Sequence, residues 1–180
     1  MAQRAGITIP RHVGEAAEVD YSGAPAADYG PLARDKIPVR SLSEGDLRAL
    51  VAIDRRITGR DRADYFQRKL ADALTESDVC VSLVAELDGG TVGFIMARVD
   101  LGEFGRVETT AVIDTIGVDP DYQSRGVGRA LLSQLLTNLA TLRVETVRTE
   151  VGWQEHALLG YLDHSGFLPS QRLCFDQPLT

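Results

Sequence analysis

Cysteine is scarce in this chain: Cys80 and Cys174 are the only two in 180 residues, and no CxxC or Cys/His cluster accompanies them. A structural zinc site and a disulfide framework are thereby excluded as expectations, and both thiols, set in apolar strand-like runs, read as small buried hydrophobes. Histidine is also rare, with three residues, of which His12 and His164 stand isolated and carry no assigned role. Positive charge is in deficit, 19 Lys and Arg against 26 Asp and Glu, for a formal net charge of -7. A general nucleic-acid binder needs a basic face, which this balance does not supply. No apolar run approaches the roughly 20 residues that a helix needs to cross a bilayer. The N-terminus lacks a charged start followed by an apolar stretch. These deficits predict a soluble, cytoplasmic protein with no metal, no nucleic-acid partner and no membrane partner. An acidic surface suits cationic acceptors such as amines, although solubility is the commoner reason for it.

What is present is an ordinary globular composition, 44% hydrophobic and 25% charged, over a length that fits one domain with room for an extension. Residues 1 to about 35 stand apart. They are rich in Ala, Gly and Pro, are punctuated by Gly23-Ala24-Pro25 and Tyr29-Gly30-Pro31, and show no apolar periodicity. They read as an extended arm, a candidate for dimer contact or pocket closure. Residues 36–180 form the domain.

Within that domain, Ile37 to Arg40 reads as a short strand. Ser43 with Asp46 three residues on forms a capping-box start to a helix carrying Leu47, Leu50, Val51 and Ile57, with Gly59 at its exit. A second helix begins near Asp61 with Phe66, Leu70 and Leu74 on one face. Cys80 to Leu87 and Thr91 to Val99 read as strands joined by Asp88-Gly89-Gly90, a hairpin signal. A long strand follows from about Val107 to Val118. Leu131, Leu132, Leu135, Leu136 and Leu139 then make the core stripe of a helix. A strand over Val144–Val151, a helix over Gln154–Ser165 and a closing strand over Arg172–Asp176 complete a mixed α/β order with an antiparallel front half.

The most informative stretch runs from Val118 to Leu132: a strand end, the turn Asp119-Pro120-Asp121-Tyr122, then Gln123-Ser124-Arg125-Gly126-Val127-Gly128 and the first turns of a helix. Glycines at 126 and 128 before a helix make a row of free N–H groups, the chemistry of a phosphate cradle. A Walker A loop needs Gly-Lys-Ser/Thr, and Arg129-Ala130 follows Gly128. A dinucleotide fingerprint needs a small residue where Leu131 stands, and an early βαβ unit. Both readings fail, which leaves a phosphate cradle or a plain glycine turn that starts a helix.

With its flanks, this stretch closely resembles the acetyl-CoA motif of the GNAT superfamily of N-acetyltransferases. The order of strands and helices resembles that family's, as does Gly166-Phe167 after the last helix, and the resemblance covers roughly residues 37–177. It implies a mainly antiparallel mixed sheet with a splayed central strand, flanked by four helices. It also implies acetyl-CoA as donor and acetyl transfer to a primary amine, of a protein or a small molecule, in a ternary complex. By that resemblance the motif Gln123, Ser124, Arg125, Gly126, Val127, Gly128 and Arg129 holds the CoA pyrophosphate. Ile116, Gly117 and Val118 pair with the pantetheine arm where the central strand splays at a bulge, and Gly117 is the residue that suits such a bulge or a close ligand approach.

The catalytic half is less regular. Asp114 interrupts the run Ala111 to Ile116, where a carboxylate is costly to bury without purpose or partner. Strand alternation places it on the face of Val112 and Ile116. It is the candidate general base, with an internal salt bridge as the alternative, and Glu108 is a weaker candidate. The family's usual Tyr before Gly-Phe falls on Leu162; Tyr161, about 100° round the helix, is the candidate acid. Glu155 stands where the family often has an Asn that contacts CoA. A non-catalytic acyl-CoA-binding domain is the rival reading. Arg55, Arg56, Arg60 and Arg62 either read an anionic group on the acceptor or pair with Asp54, Asp61 and Asp64. Trp153 and His156 are candidates to line the acceptor pocket, packing being the commoner role for such an aromatic.

Overall fold

The computed structural model describes residues 36–75, 81–100, 109–171 and 176–179. The arm, Cys80, Cys174, Glu108 and nearly all of the expected closing strand lie outside these. Five strands form one sheet in chain order: β1 Val39–Ser41, β2 Leu83–Leu87, β3 Gly90–Asp100, β4 Thr110–Val118 and β5 Thr146–Thr149. The first three pairings are antiparallel and β4–β5 is parallel. Among the described residues there are four α-helices: α1 Leu47–Thr58, α2 Ala63–Thr75, α3 Val127–Thr141 and α4 His156–His164. A parallel pair needs a crossover, and α3 supplies it between β4 and β5. The expected mixed, mainly antiparallel sheet with four helices is the architecture found.

Helices cover both faces of the sheet, which is why β3 is buried without a break from Val92 to Ala97 instead of alternating. Ile95, Ala97, Ala111 and Ile113 pack with Val127, Ala130, Leu131, Leu135 and Leu139 of α3. Phe94 and Met96 face the other way, onto Leu50 and Ile53 of α1 and Phe66 and Leu70 of α2. Phe66 meets Phe94 edge-on at 5.5 Å, the arrangement that ring quadrupoles favour. The β2–β3 turn has positive φ at Asp88 (53°) and Gly89 (78°), the twist-matched two-residue hairpin that this dipeptide encodes. Several ends differ from the sequence expectation by a few residues: β1 begins at Val39, β4 at Thr110 and β5 spans only Thr146–Thr149.

The capping box exists, but it opens a 3-10 turn over Glu44–Asp46 that then becomes α1. Asp46 accepts from the Ser43 N–H (2.9 Å) and hydroxyl (2.7 Å), and Arg40 donates to both of its oxygens at 2.8 and 2.7 Å. The Arg40 hydrogen bonds outweigh the cost of burial and hold the Asp46 carboxyl at about 2. A carboxyl depressed in the folded state contributes stability above its unfolded value, near 3.8, and loses it as pH falls toward 2. At about 1.36 kcal/mol per pKa unit, that is about 2 kcal/mol. Denaturant titrations at pH 5 and pH 2 should show this loss, and Asp46→Asn should flatten the difference; an equally steep profile in the variant would remove Asp46 as its source.

Candidate active site

The strand β4 carries the site, and its irregularity has one origin. Pairing with β3 runs Thr115 to Met96 and then Ile113 to Ala97, so Asp114 is the extra residue of a bulge. Bulges bend a strand and increase its twist. At the same point β4 leaves β5: their pairing ends at Ile113 opposite Thr149, and the Thr149 hydroxyl donates to the Ile113 carbonyl at 3.1 Å. From Asp114 to Val118, β4 pairs only with β3, and no other strand among the described residues pairs with its second edge. The splayed strand is therefore present, and its bulge lies at Asp114, not at Gly117.

Gly117 has a different reason to be glycine. A Cβ there would stand 2.7 Å from the Phe94 ring and 3.4 Å from Ile57 Cδ1, so the close approach is by a core aromatic and by α1. The bulge also breaks the expected alternation. Ile113 and Ile116, three apart, both pack with the α3 face. Asp114 lies on the opposite face with Val112, whose partner across the strands is Arg98.

Asp114 is 15% exposed and its oxygens are both engaged. Lys69 of α2 donates to Oδ2 at 2.9 Å, and Arg98 of β3 donates to Oδ1. Arg98 also reaches Asp100 at 3.3 Å. Its guanidinium pKa is raised, because burial, which opposes the charge, is outweighed by the hydrogen bond and attraction of Asp114 and by Asp100. No local signal in the sequence marks Lys69 and Arg98 as partners of Asp114, from which they lie 45 and 16 residues away.

Beyond Val118 the chain makes the turn Pro120–Tyr122. The Asp119 side chain caps it by accepting from the Asp121 N–H at 3.0 Å. Ser124 (φ 60°) and Gly126 (φ 87°) then take left-handed conformations and α3 begins at Val127. Among the described residues, no carbonyl accepts from the N–H groups of Ser124 through Arg129; the first such bond is from Ala130 to Gly126. That row lies at the positive end of a 15-residue helix, a geometry that suits an anion. Gly126 is required by its φ, since a Cβ would find only Ile37 at 3.8 Å. Gly128 is an ordinary helical residue whose Cβ would touch the Tyr161 ring at 3.6 Å, a normal contact. Arg125 lies over the Tyr122 ring at 4.9 Å, and the Tyr122 hydroxyl donates to Asp88 at 3.0 Å.

Tyr161 reaches the same place from α4. Its hydroxyl donates to the Gly128 carbonyl at 2.9 Å, and burial pushes its pKa up to about 12. Leu162, where a Tyr was awaited, is buried. The chain leaves α4 through Gly166 (φ 86°), with Phe167 N–H returning to the Leu162 carbonyl at 3.0 Å, a Schellman exit. Trp153 does not pack as expected: it is 90% exposed, in the segment between β5 and α4. The arginine cluster divides. Arg62 pairs with the buried Asp54, as one alternative held, whereas Arg56 pairs with Asp119 and Asp121 across the site. No helix among the described residues is long and apolar enough to cross a membrane, and no group of His, Cys, Asp or Glu among them is arranged to hold a metal.

A family model described as the acetyltransferase (GNAT) family matches residues 47–167. The chain is 35% identical over 80 residues to a [ribosomal protein bS18]-alanine N-acetyltransferase of Escherichia coli, covering 44% of this chain and 49% of that protein. It is 35% identical over 86 residues to a mycothiol acetyltransferase of Propionibacterium freudenreichii, covering 47% of this chain and 27% of that one. The matched region thus spans half or less of these two relatives. In fold it is similar to an aminoglycoside N-acetyltransferase solved in complex with CoA, with a TM-score of 0.68 at 16% identity over 79% of this chain and 94% of that one.

Proposed function

The chain belongs to the acetyltransferase (GNAT) family, and from that premise we propose that it transfers the acetyl group of acetyl-CoA directly to a primary amine. One observation carries this reading: an open strand edge, Asp114 to Val118, runs into a row of unpaired amides, Ser124 to Arg129, at a helix N-terminus. The first part suits an extended amide-bearing chain by strand addition, and the second suits a pyrophosphate. CoA has both parts in that order. Ile116, Gly117 and Val118 would pair with its pantetheine arm, and Gln123 to Arg129 would hold its phosphates. No metal is needed for the transfer. Two of the relatives named above are N-acetyltransferases, of an alanine in one case and of an aminoglycoside in the other.

Transfer needs a neutral amine. A lysine-like amine near pKa 10.4 is handicapped at pH 7 by about 4.6 kcal/mol, which desolvation or a base must offset. Asp114 is our candidate base, with a condition: the acceptor must reach a second lone pair on an oxygen that Lys69 or Arg98 already binds. An incoming ammonium is a natural substitute for Lys69. Asp114→Asn should then lower turnover chiefly at low pH, where the amine is most fully protonated. A pH profile parallel to the parent's would assign Asp114 to holding the bulge instead. Tyr161 is the candidate acid, also with a condition. Giving its proton to a thiolate of pKa near 8.5 is uphill by about 3.5 units from its own value of about 12. A thiolate of that pKa departs readily without it, so direct departure is the simpler course.

The same two engaged groups support a second reading, an acyl-CoA-binding domain without turnover. Thiol release from acetyl-CoA over a panel of free-amino peptides, aminoglycosides and small amines decides between them. Release with any acceptor supports the transferase. Tight CoA binding without release on any acceptor supports the binding domain, and no CoA binding removes both. The arm of residues 1–35 is proposed to close the pocket or mediate dimer contact, which its deletion would reveal as altered KM or oligomeric state.

A further inference from the structure

We propose that Arg56 is a positioning residue for the cradle: a guanidinium outside the amide row locks the turn that aims it, so that affinity for CoA depends on Arg56. This rests on the reading of Ser124 to Arg129 as the CoA site. Arg56 stands in the last turn of α1 and donates from Nη1 to Asp119 (2.5 Å) and from Nη2 to Asp121 (2.9 Å). A planar fork is suited to holding two carboxylates at once, and an ammonium is not. Asp119 is already the hub of this turn. Its side chain caps the Asp121 N–H, its own N–H donates to the Val92 carbonyl of β3 at 2.8 Å, and its carbonyl accepts from Tyr122 at 2.8 Å. The left-handed Ser124 comes two residues after Tyr122.

The arrangement has a counterpart at the other end of the open edge. Lys69 of α2 ties Asp114 at the bulge, and Arg56 of α1 ties the turn just past Val118. Both ends of the splayed segment are thus fastened by charge to the α1–α2 pair. Electrostatics gives Arg56 a second effect. Without it, the carboxylates of Asp119 and Asp121 would lose the cation that pairs with both, in the turn leading to a site for an anion.

Exposed ion pairs contribute little to stability, so the expected readout is affinity. Titration calorimetry with CoA should give Arg56→Gln a Kd raised by at least about fivefold, with a melting temperature close to the parent's. Arg56→Lys, which keeps the charge and loses the fork, should fall between the two. In turnover at saturating amine, KM for acetyl-CoA should rise while kcat holds within about twofold, the mark of lost binding alone. A Kd for Arg56→Gln within about twofold of the parent's overturns the proposal. If circular dichroism shows Arg56→Gln unfolded, the same comparison is read from Arg56→Lys. A parent protein that itself binds no CoA overturns the CoA reading, and the proposal with it.

Discussion

Gly126→Trp should abolish measurable CoA binding, and thiol release with it, while the protein remains folded. Gly126 is the N-cap of α3 at φ 87°, a conformation that costs an L residue about 1–2 kcal/mol. That is tolerable against a domain stability of roughly 5–15 kcal/mol, and the nearest described atom to a new Cβ, Ile37 Cδ1, is 3.8 Å away. The fold therefore has no reason to fail. The cradle does, because relief of the strain rotates the amides on either side of residue 126 out of their common direction, and an indole then stands among them. We expect a loss of at least about 100-fold in affinity, equivalent to about 2.7 kcal/mol. Calorimetry with CoA and far-UV circular dichroism check the two halves. Unchanged affinity would mean that the row from Ser124 to Arg129 is not the phosphate site. Gly128→Ala is the useful contrast, since its Cβ meets the Tyr161 ring at an ordinary distance.

The second large effect is expected from Gly93→Val, in a glycine with no positive φ and no place in the cradle. A Cβ at position 93 would lie 2.8 Å from Val127 Cγ1, 3.2 Å from Leu131 Cδ1 and 3.2 Å from the Gly117 carbonyl oxygen. Val127 and Leu131 belong to the first turns of α3, and the Gly117 carbonyl is backbone that cannot step aside. Glycine here lets the N-terminus of α3 sit close on the sheet, beside the open edge of β4. Valine should push that helix end outward, at about 1–3 kcal/mol of stability, the usual scale of overpacking. Because the displaced end carries the amide row, CoA affinity should fall by about tenfold as well. Denaturant unfolding and CoA titration measure the two effects. A variant as stable as the parent and equal in affinity would show that α3 has slack that these distances do not suggest.

Gly93 and Gly117 share a lesson about what sequence reading reaches. A glycine inside a strand pattern signals close approach without saying by what. At Gly117 the approaching group is Phe94, from the neighbouring strand; at Gly93 it is the helix that follows β4. Of the two roles that suit Gly117, the structure gives it the close approach, and the residue inserted at the bulge is instead a carboxylate, Asp114, with cations to hold it. Packing is the commoner role of an aromatic such as Trp153, which here stands exposed between β5 and α4.

What the sequence determined by itself was local in kind. The two-residue hairpin at Asp88-Gly89, the Schellman exit at Gly166 and the amide row behind Gly126 each depend on backbone conformations of a few consecutive residues, and side-chain identity constrains those directly. The helix stripes and the strand order follow from periodicity for the same reason. The charge partners of Asp114 and Arg56 were decided only by the tertiary structure. Asp114 finds Lys69 and Arg98 across 45 and 16 residues, and Arg56 finds Asp119 and Asp121 across 63 and 65. An ion pair depends on distance in space, and any acidic residue in this chain had many basic residues to choose from. That is why the row of amides could be read from a single stretch of chain, while the surroundings of the candidate base required the packed sheet with α1 and α2 upon it.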